Sequence, residues 1–472
     1  MRLPQSETLL QLPPEWPDDV GDSILKYIRR SHRKLVVIDD DPTGSQVVYN
    51  IPVLTDWSSQ SLVDELQTDL PAFFLLTNSR SLLLPAAKTI NAEIGRSLAA
   101  AIDSTDCSIA VVSRSDSTLR GHFPGEVQAL VAGLQQDFHA WLIIPALPSA
   151  GRYTIQNVHY VAEGDWLIPA GQSPYAQDAT FGYRASNLKE WVQEKTNGQI
   201  QADQVQSVSL DDIRLGGPER VMQRLLDLPH GSVCIVNAVS RRDLDVFTLG
   251  LLMAEEQGHA YLYRTGPTFV PARIGIRPYE LLSPDALDMT EKSGGLIVVG
   301  SYVPKTSGQV NHLFEHGGVH PIEIQVEKLL DPAARQAEVE RIASQADRQL
   351  AQGTDTVLYT SRKLITGQDA SESRAIGQSI SDGVIEILHE IKTRPRYILA
   401  KGGITSHDVA TKGLAVQRAM VIGQIVNGVS VWILGSESRY KGLPYLVFPG
   451  NVGGPDALSE VVLRLKLKNG EG

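Results

Sequence analysis

The amino-acid sequence predicts an α/β protein of two successive domains, each with a mostly parallel sheet. Three observations carry that expectation. Short, continuously apolar runs recur along the chain, helical patterns separate several of them, and a polar stretch with Pro and Gly interrupts the series past the middle. Continuous apolar runs belong to strands covered on both faces, and strands alternating with helices make βαβ units. A chain of 472 residues suits two or three domains of about 100–200 residues each.

Residues 1–33 are rich in Pro and charge and read as an extension or cap, with a short helix around Asp22–Arg30. The first domain is expected over 34–285. Its strands are Lys34–Asp39, Ala72–Thr77, Ile109–Ser113, Ala140–Pro145 and Ser232–Asn237, with helices at Pro85–Ile102 and Gly125–Gln136. The segment Ser283–Gly295 is the expected junction. A second domain over 292–466 carries strands at Leu296–Gly300, Ile322–Val326, Thr356–Thr360, Tyr397–Ala400, Val429–Leu434 and Tyr445–Phe448. Its helices are expected at Pro332–Gln352, Ser373–Ile391 and from Pro455 onward.

Composition excludes several function classes. A net charge of −11 with both signs spread along the chain argues against a nucleic-acid binder. No apolar run is long enough to span a membrane, and the first residues lack the pattern of a secretory signal. Cys107 and Cys234, the only cysteines, lie in apolar strand-like runs and read as reduced thiols of a cytoplasmic protein. No His or Cys has a partner at metal-ligand spacing, so no structural metal is expected. His159 in Asn-Val-His-Tyr-Val reads as a strand residue rather than a catalyst.

Open parallel sheets bind ligands at the carboxyl ends of their strands, and the polar clusters lie there. The first strand ends in Asp39-Asp40-Asp41-Pro42-Thr43-Gly44, whose adjacent carboxylates need a partner. The second ends in Thr77-Asn78-Ser79-Arg80. The third ends in Ser113-Arg114-Ser115-Asp116-Ser117-Thr118-Leu119-Arg120-Gly121-His122. Guanidinium forks bind carboxylates bidentately, and Asp and Ser side chains read hydroxyls, which is the chemistry that holds an acidic sugar. Arg152 follows the fourth strand. In the second half, Gly300-Ser301, Lys401-Gly402-Gly403-Ile404-Thr405-Ser406 and Gly450-Asn451-Val452-Gly453-Gly454 follow strands. Glycine lets a backbone approach a phosphate, so these turns fit a nucleotide-phosphate site. No Walker or Rossmann glycine motif is present.

Asp40-Asp41-Pro-Thr43-Gly44, Asn78-Ser79-Arg80, Asp116-Ser117-Thr118-Leu119-Arg120-Gly121, Gly151-Arg152, Gly300-Ser301, Gly402-Gly403-Ile-Thr405 and Gly450-Asn451-Val-Gly453 together resemble, in that order, the four-carbon acid sugar kinase family. The resemblance runs from about Lys34 to Leu458. It implies an N-terminal sugar-acid domain, a C-terminal nucleotide domain and an active site in the cleft between them. It also implies transfer from ATP, with Mg²⁺, to the terminal hydroxyl of threonate, erythronate or 3-oxo-tetronate. Asp40 and Asp41 are then the candidates for orienting that hydroxyl. Ser79, Arg80, Asp116, Ser117, Arg120 and Arg152 would hold the acid, its carboxylate on Arg80 or Arg120. Ser301, Gly402, Gly403, Thr405, Gly450 and Asn451 would contact ATP. The partners expected are these small molecules, with a homo-oligomer left open. Three positions depart from the family pattern: Arg114 and Phe448 each stand where Lys is usual, and Ile404 where an acid is. Two other readings compete. Asp39-Asp40-Asp41-Pro42-Thr43 fits the D-x-D-x-T loop of haloacid-dehalogenase-type phosphatases, with Asp39 and Asp41 as the working pair. A sugar-acid sensor without phosphoryl transfer is the other.

Overall fold

The computed structural model describes residues 2–277, 280–300, 304–362, 365, 367 and 369–466. The chain forms two compact units, one of Met1–Gly44 with Asp56–Pro278 and one of Ser45–Thr55 with Tyr279–Gly472.

The first unit is built on a seven-stranded, all-parallel sheet. Its order is Gln206–Val208, Ser232–Val236, Ala140–Ile144, Tyr261–Thr265, Ile109–Arg114, Lys34–Asp39, Ala72–Leu76. Every residue of Lys34–Asp39, Ala72–Leu76 and Ile109–Arg114 is buried, as continuous apolar runs require. Helices Leu84–Thr105 and Gly125–Leu134 connect strands and pack on each other. A small antiparallel sheet of Leu3–Pro4, Trp166–Pro169, Val158–Glu163 and Arg152–Ile155 is added to this core. His159 lies within it, fully buried. The N-terminal segment belongs to the unit: helix Gly21–Ser31 packs on helix Arg241–Glu256, and Arg214 and Arg242 donate to the carbonyls of Pro13 and Asp18.

The second unit has a mixed eight-stranded sheet. Pro444–Phe448, Ile398–Lys401, Leu296–Val299, Thr356–Thr360 and His320–Ile324 are parallel neighbours in that order. Val429–Leu434, Arg418–Val426 and Ile51–Leu54 continue the sheet as antiparallel strands. The sequence reading placed 45–55 in the first domain, but its Ile51, Val53 and Leu54 bury their side chains on the edge of this sheet. Its core gathers Ile297, Val299, Val310, Leu313, Tyr397, Leu399, Phe448 and Val461. Helices Arg335–Ala351, Ala370–Glu390 and Ala457–Leu465 match the expected helical stretches to within a few residues. Among the described residues no helix is long and apolar enough to cross a membrane.

Candidate active site

In the first unit the chain runs from Lys34–Asp39 to the edge strand Ala72–Leu76, then returns to the other side of Lys34–Asp39 as Ile109–Arg114. The direction of winding reverses between these two strands, and a crevice outside the carboxyl ends at such a point is where open α/β sheets bind ligands. Asp39-Asp40-Asp41 and Arg114–Arg120 flank it.

The carboxylates there are distributed among guanidinium partners. Arg114 donates to Asp39 Oδ1 at 2.9 Å, and Arg80 donates to Asp40 Oδ1 at 2.5 Å and to Asp41 Oδ2 at 2.9 Å. Ser115 Oγ donates to the other Asp40 oxygen at 2.7 Å, and the Thr43 N–H and hydroxyl each donate to Asp41 Oδ1 at 2.8 Å. Arg120 Nε donates to Asp116 Oδ2 at 2.6 Å, and Thr118 Oγ1 donates to the same oxygen. Burial raises the pKa of each carboxyl, and the partners decide the outcome. For Asp116, burial is outweighed by Arg80, Arg120 and Thr118, so its carboxyl falls to about 2. Asp41 is likewise held below its ordinary value against burial by Arg80, Arg114 and Thr43. Asp39 goes the other way: burial, with Asp40 and Asp41 beside it, lifts it to about 7 despite Arg114. Its Oδ2 is shut in without a hydrogen bond, and a Cβ on Gly44 would stand 1.7 Å from that oxygen. Asp39, the raised carboxyl of the aspartate run, is therefore enclosed. An oxygen bound by Arg114 and another covered by Gly44 do not make the exposed nucleophile that the phosphatase reading needs.

A small cavity opens beside this cluster, lined by Ser115, Asp116, Leu119, Arg120, Trp191 and Arg264 among others. It brings together Asp116 and Arg120 from the sequence reading. Ser79 instead donates to buried Glu126 at 2.5 Å. Arg80 is spent on Asp40 and Asp41. Ser117 is buried, and its carbonyl accepts from His159 Nε2 at 2.7 Å while His159 Nδ1 accepts from the Thr154 hydroxyl at 3.0 Å. Burial pushes the His159 imidazole down to about 4. It is thus a neutral strut under the Asp116–Thr118 loop. Arg152 donates to the Tyr175 hydroxyl at 3.1 Å, and its guanidinium and that of Arg120 share the Tyr175 ring at 5.4 and 5.3 Å. The sequence reading missed Arg264, Glu126, Ser115 and Tyr175. Ser115 stood inside the singled-out cluster, but Arg264 ends an aromatic strand, Tyr-Leu-Tyr-Arg-Thr, that offered no signal.

The second unit has a comparable reversal. From Leu296–Val299 the chain winds to the His320–Ile324 edge, returns between them as Thr356–Thr360, then crosses to Ile398–Lys401 on the other side of Leu296–Val299. Gly300 and Gly402-Gly403 flank that reversal, and Ser301 lies outside the described residues. A Cβ on Gly300 would meet Thr405 Oγ1 at 2.5 Å, so the two turns touch only because residue 300 is glycine. Gly402 has φ +108°, and its N–H donates to the Phe448 carbonyl at 2.8 Å, which ties this turn to the next.

That next turn, 449–454, is held by its carbonyls. Lys401 Nζ donates to Pro449 O at 2.8 Å and Gly450 O at 3.3 Å, Lys305 Nζ to Asn451 O at 2.7 Å, and Gln309 Nε2 to Val452 O at 2.9 Å and Gly454 O at 2.8 Å. A trans peptide points its N–H away from its carbonyl. The N–H groups of Gly450, Asn451 and Gly453 therefore point away from those donors, and among the described residues none of the three has a protein acceptor, while Val452 closes the hydrogen-bonded turn over Gly450 and Asn451. Successive free N–H groups form a nest for an anion. Lys401 is fully buried, its ammonium 4.2 Å from the centre of the Phe448 ring. Burial, and then Lys305, push it down to about 7. The lysine absent at 448 is answered by one on the neighbouring strand, where Lys401 pairs in register with Phe448.

Two family models match the chain: a sugar-binding N-terminal domain over residues 35–273 and a nucleotide-binding C-terminal domain over 296–458. A Haemophilus influenzae protein of family DUF1537 is similar in structure at 18% identity, with 91% of this chain and 99% of that one covered and a TM-score of 0.64. The chain belongs to the four-carbon acid sugar kinase family. A Salmonella typhimurium LT2 protein with a provisional tRNA synthase name has the same fold, at 18% identity, 91% and 98% coverage and a TM-score of 0.64. No curated protein matches the chain. As a member of the four-carbon acid sugar kinase family, the protein divides its ligands as its models are described, sugar on the first unit and nucleotide on the second.

Proposed function

We propose that the protein is an ATP-dependent kinase that phosphorylates the terminal hydroxyl of a small, four-carbon acid sugar such as threonate, erythronate or 3-oxo-tetronate. The observation that carries the reading is the nest of N–H groups without a protein acceptor at Gly450, Asn451 and Gly453, which has the polarity for a phosphate group. The Arg, Asp and Ser cluster of the first unit has the complementary chemistry for a hydroxylated carboxylate. Bound ATP supplies the transferable phosphoryl group. Gly402, Gly403, Thr405, Gly450 and Asn451 are the contacts assigned to it, with Ser301 proposed from sequence alone. Phosphoryl transfer asks a protein chiefly to position reactants and neutralise charge. Asp40 and Asp41, both fixed by Arg80, are suited to orient the attacking hydroxyl. Asp41, held below the ordinary carboxylate range, is suited to accepting a hydrogen bond rather than to removing a proton.

Mg²⁺ accompanies ATP in this reading, yet the described residues form no group of three or more His, Cys, Asp or Glu side chains able to hold a metal. Asp40 and Asp41 are taken up by Arg80, and Asp39 is enclosed. The described residues thus offer no cage of their own for the ion. Two free cysteines fit a reducing cytoplasm. The test is an ADP-release screen of C4–C6 aldonic and keto-aldonic acids with ATP and Mg²⁺. Turnover with at least one acid is expected. Binding of an acid without ADP release would replace the kinase with a sensor, and hydrolysis of a phosphate ester without ATP would replace it with a phosphatase.

A further inference from the structure

We propose that Arg264 is the clamp for the carboxylate of the acid substrate, with the more exposed Arg120 beside it in the same cavity; this rests on the sugar-acid reading of the first unit. Arg264 stands near the end of Tyr261–Thr265, the central strand of the seven, in register with Ser113 and Ile143. Its side chain is 6% exposed and lines the cavity. Burying a guanidinium is costly unless it is paired, so the partners of the four arginines of the cluster are informative. Arg80 has Asp40 and Asp41, Arg114 has Asp39, and Arg120 has Asp116, each within hydrogen-bond distance. Arg264 donates to the Ser113 hydroxyl at 2.9 Å, and its nearest carboxylate oxygen, Glu126 Oε2, is 3.7 Å away with no hydrogen bond between them.

The electrostatics agree with the geometry. Burial is the largest influence on Arg264 and leaves its pKa below the ordinary value despite Glu126 and Asp40, whereas those of Arg80 and Arg120 are raised. Burial also raises Glu126 in spite of Arg264, which moves the partner toward its neutral form. A buried cation with a hydroxyl for company and its carboxylate held 3.7 Å off without a hydrogen bond, facing a cavity, has room for one more anion. Gly121 makes room for it: a Cβ there would lie 2.7 Å from Arg264 Nη2, 2.8 Å from Ser115 Oγ and 3.1 Å from Asp40 Oδ2. Guanidinium, hydroxyl and carboxylate thus converge beneath one glycine. A carboxylate received by the guanidinium fork would leave Ser115 and Asp116 within the same cavity for the adjoining hydroxyls.

The test is calorimetric binding to the full chain without nucleotide, using erythronate and threonate as acids and erythritol as the neutral four-carbon probe, with ADP as control. Arg264→Lys keeps the charge and loses the fork; it should weaken binding of the acid at least ten-fold while changing ADP and erythritol affinity less than two-fold. Ser113→Ala removes the hydroxyl that aims Arg264 and is small enough to keep the fold. It should weaken the acid about three- to ten-fold with ADP unchanged. Acid affinity equal to wild type in both variants would overturn the assignment of Arg264 and leave the sugar-acid reading standing. Absence of acid binding by the wild-type protein, with ADP still bound, would overturn that reading and this inference with it.

Discussion

Lys401→Met is the most informative single change in the second unit, because its effect has a pH signature. The buried ammonium titrates near 7 in the folded chain instead of at 10.5. At about 1.4 kcal/mol per pH unit, keeping it charged in the folded state costs about 5 kcal/mol relative to the unfolded chain. The sign follows from proton counts. Between about pH 7 and 10.5 the unfolded chain holds a proton on this lysine that the folded chain does not, so wild-type stability rises with pH across that window. Methionine has nearly the same length and no proton to lose. It also leaves Pro449 O and Gly450 O without their donor, at about 1–3 kcal/mol each where they stay dry. The two contributions nearly cancel at neutral pH, so a single stability value is uninformative and the slope is what matters. From pH 7 to 9.5 the wild type should gain about 3 kcal/mol on Lys401→Met. Urea unfolding of the full chain, followed by circular dichroism and fitted with separate transitions for the two units, measures it. A difference that stays flat over this range would refute the buried, depressed ammonium. The same variant should bind ADP at least ten-fold more weakly, because two of the carbonyls that orient the 450–453 nest lose their anchor.

Other consequences concern the first unit. Gly44→Ala puts a Cβ 1.7 Å from Asp39 Oδ2 and 2.4 Å from an Arg114 nitrogen; parting that buried pair should cost about 3–5 kcal/mol in urea unfolding and abolish acid binding in calorimetry. Arg120→Ala should raise the KM for the acid ten-fold or more, about what a charge-assisted hydrogen bond is worth, and leave the KM for ATP unchanged in steady-state kinetics. Asp39 is raised to about 7, so the stability it contributes is complete below about pH 4 and is lost as pH rises through 7. Asp39→Asn should accordingly gain on the wild type between pH 5 and 8, and a constant gap in urea unfolding would show that Asp39 titrates normally. It should also keep ADP release in the acid screen, an outcome impossible if Asp39 were a phosphatase nucleophile.

What could be read from the sequence was local. Lys34–Asp39, Ala72–Leu76, Ile109–Arg114 and Leu296–Val299 announced themselves because a strand buried on both faces must be apolar at every position. The loops after them were legible because several Arg and Asp side chains gather there, more than the capping and turn formation that Asp, Ser and Gly serve would call for. Pairings between distant segments were not legible. Arg114 appeared to stand in for a family lysine, and only the register of Lys34–Asp39 against Ile109–Arg114, which sets Asp39 beside it, shows its partner. Lys401 was visible, but its reach to Pro449 depends on pairing with Phe448 across 47 positions of sequence. Ile51–Leu54 carried no signal of its own; its membership of the second unit is fixed by the Arg418–Val426 strand, whose alternating burial made it inconspicuous. Arg264 was missed for the same reason, since a single arginine in an aromatic strand has no local pattern.

The two polar sites meet one difficulty in different ways. With a net charge of −11, the chain as a whole repels the anions proposed as its ligands, so attraction has to be local. The first unit uses guanidinium groups in a buried cluster, where fork geometry distinguishes a carboxylate from other anions. The second uses neutral backbone N–H groups, aimed by lysines on the far side of the turn rather than in front of it. A nest of this kind suits a phosphate and adds no formal charge at the point where, in the proposed kinase reaction, the phosphoryl group would leave. Lys305, and Lys401 while it is protonated, still bring positive potential close by, and because Lys401 is fully buried its share is weakly screened by salt. The sparing use of ionised side chains around the nest and their density around the acid cavity are therefore one logic. A substrate to be recognised and retained calls for fixed, specific charges, whereas a group to be bound and then transferred calls for dipoles.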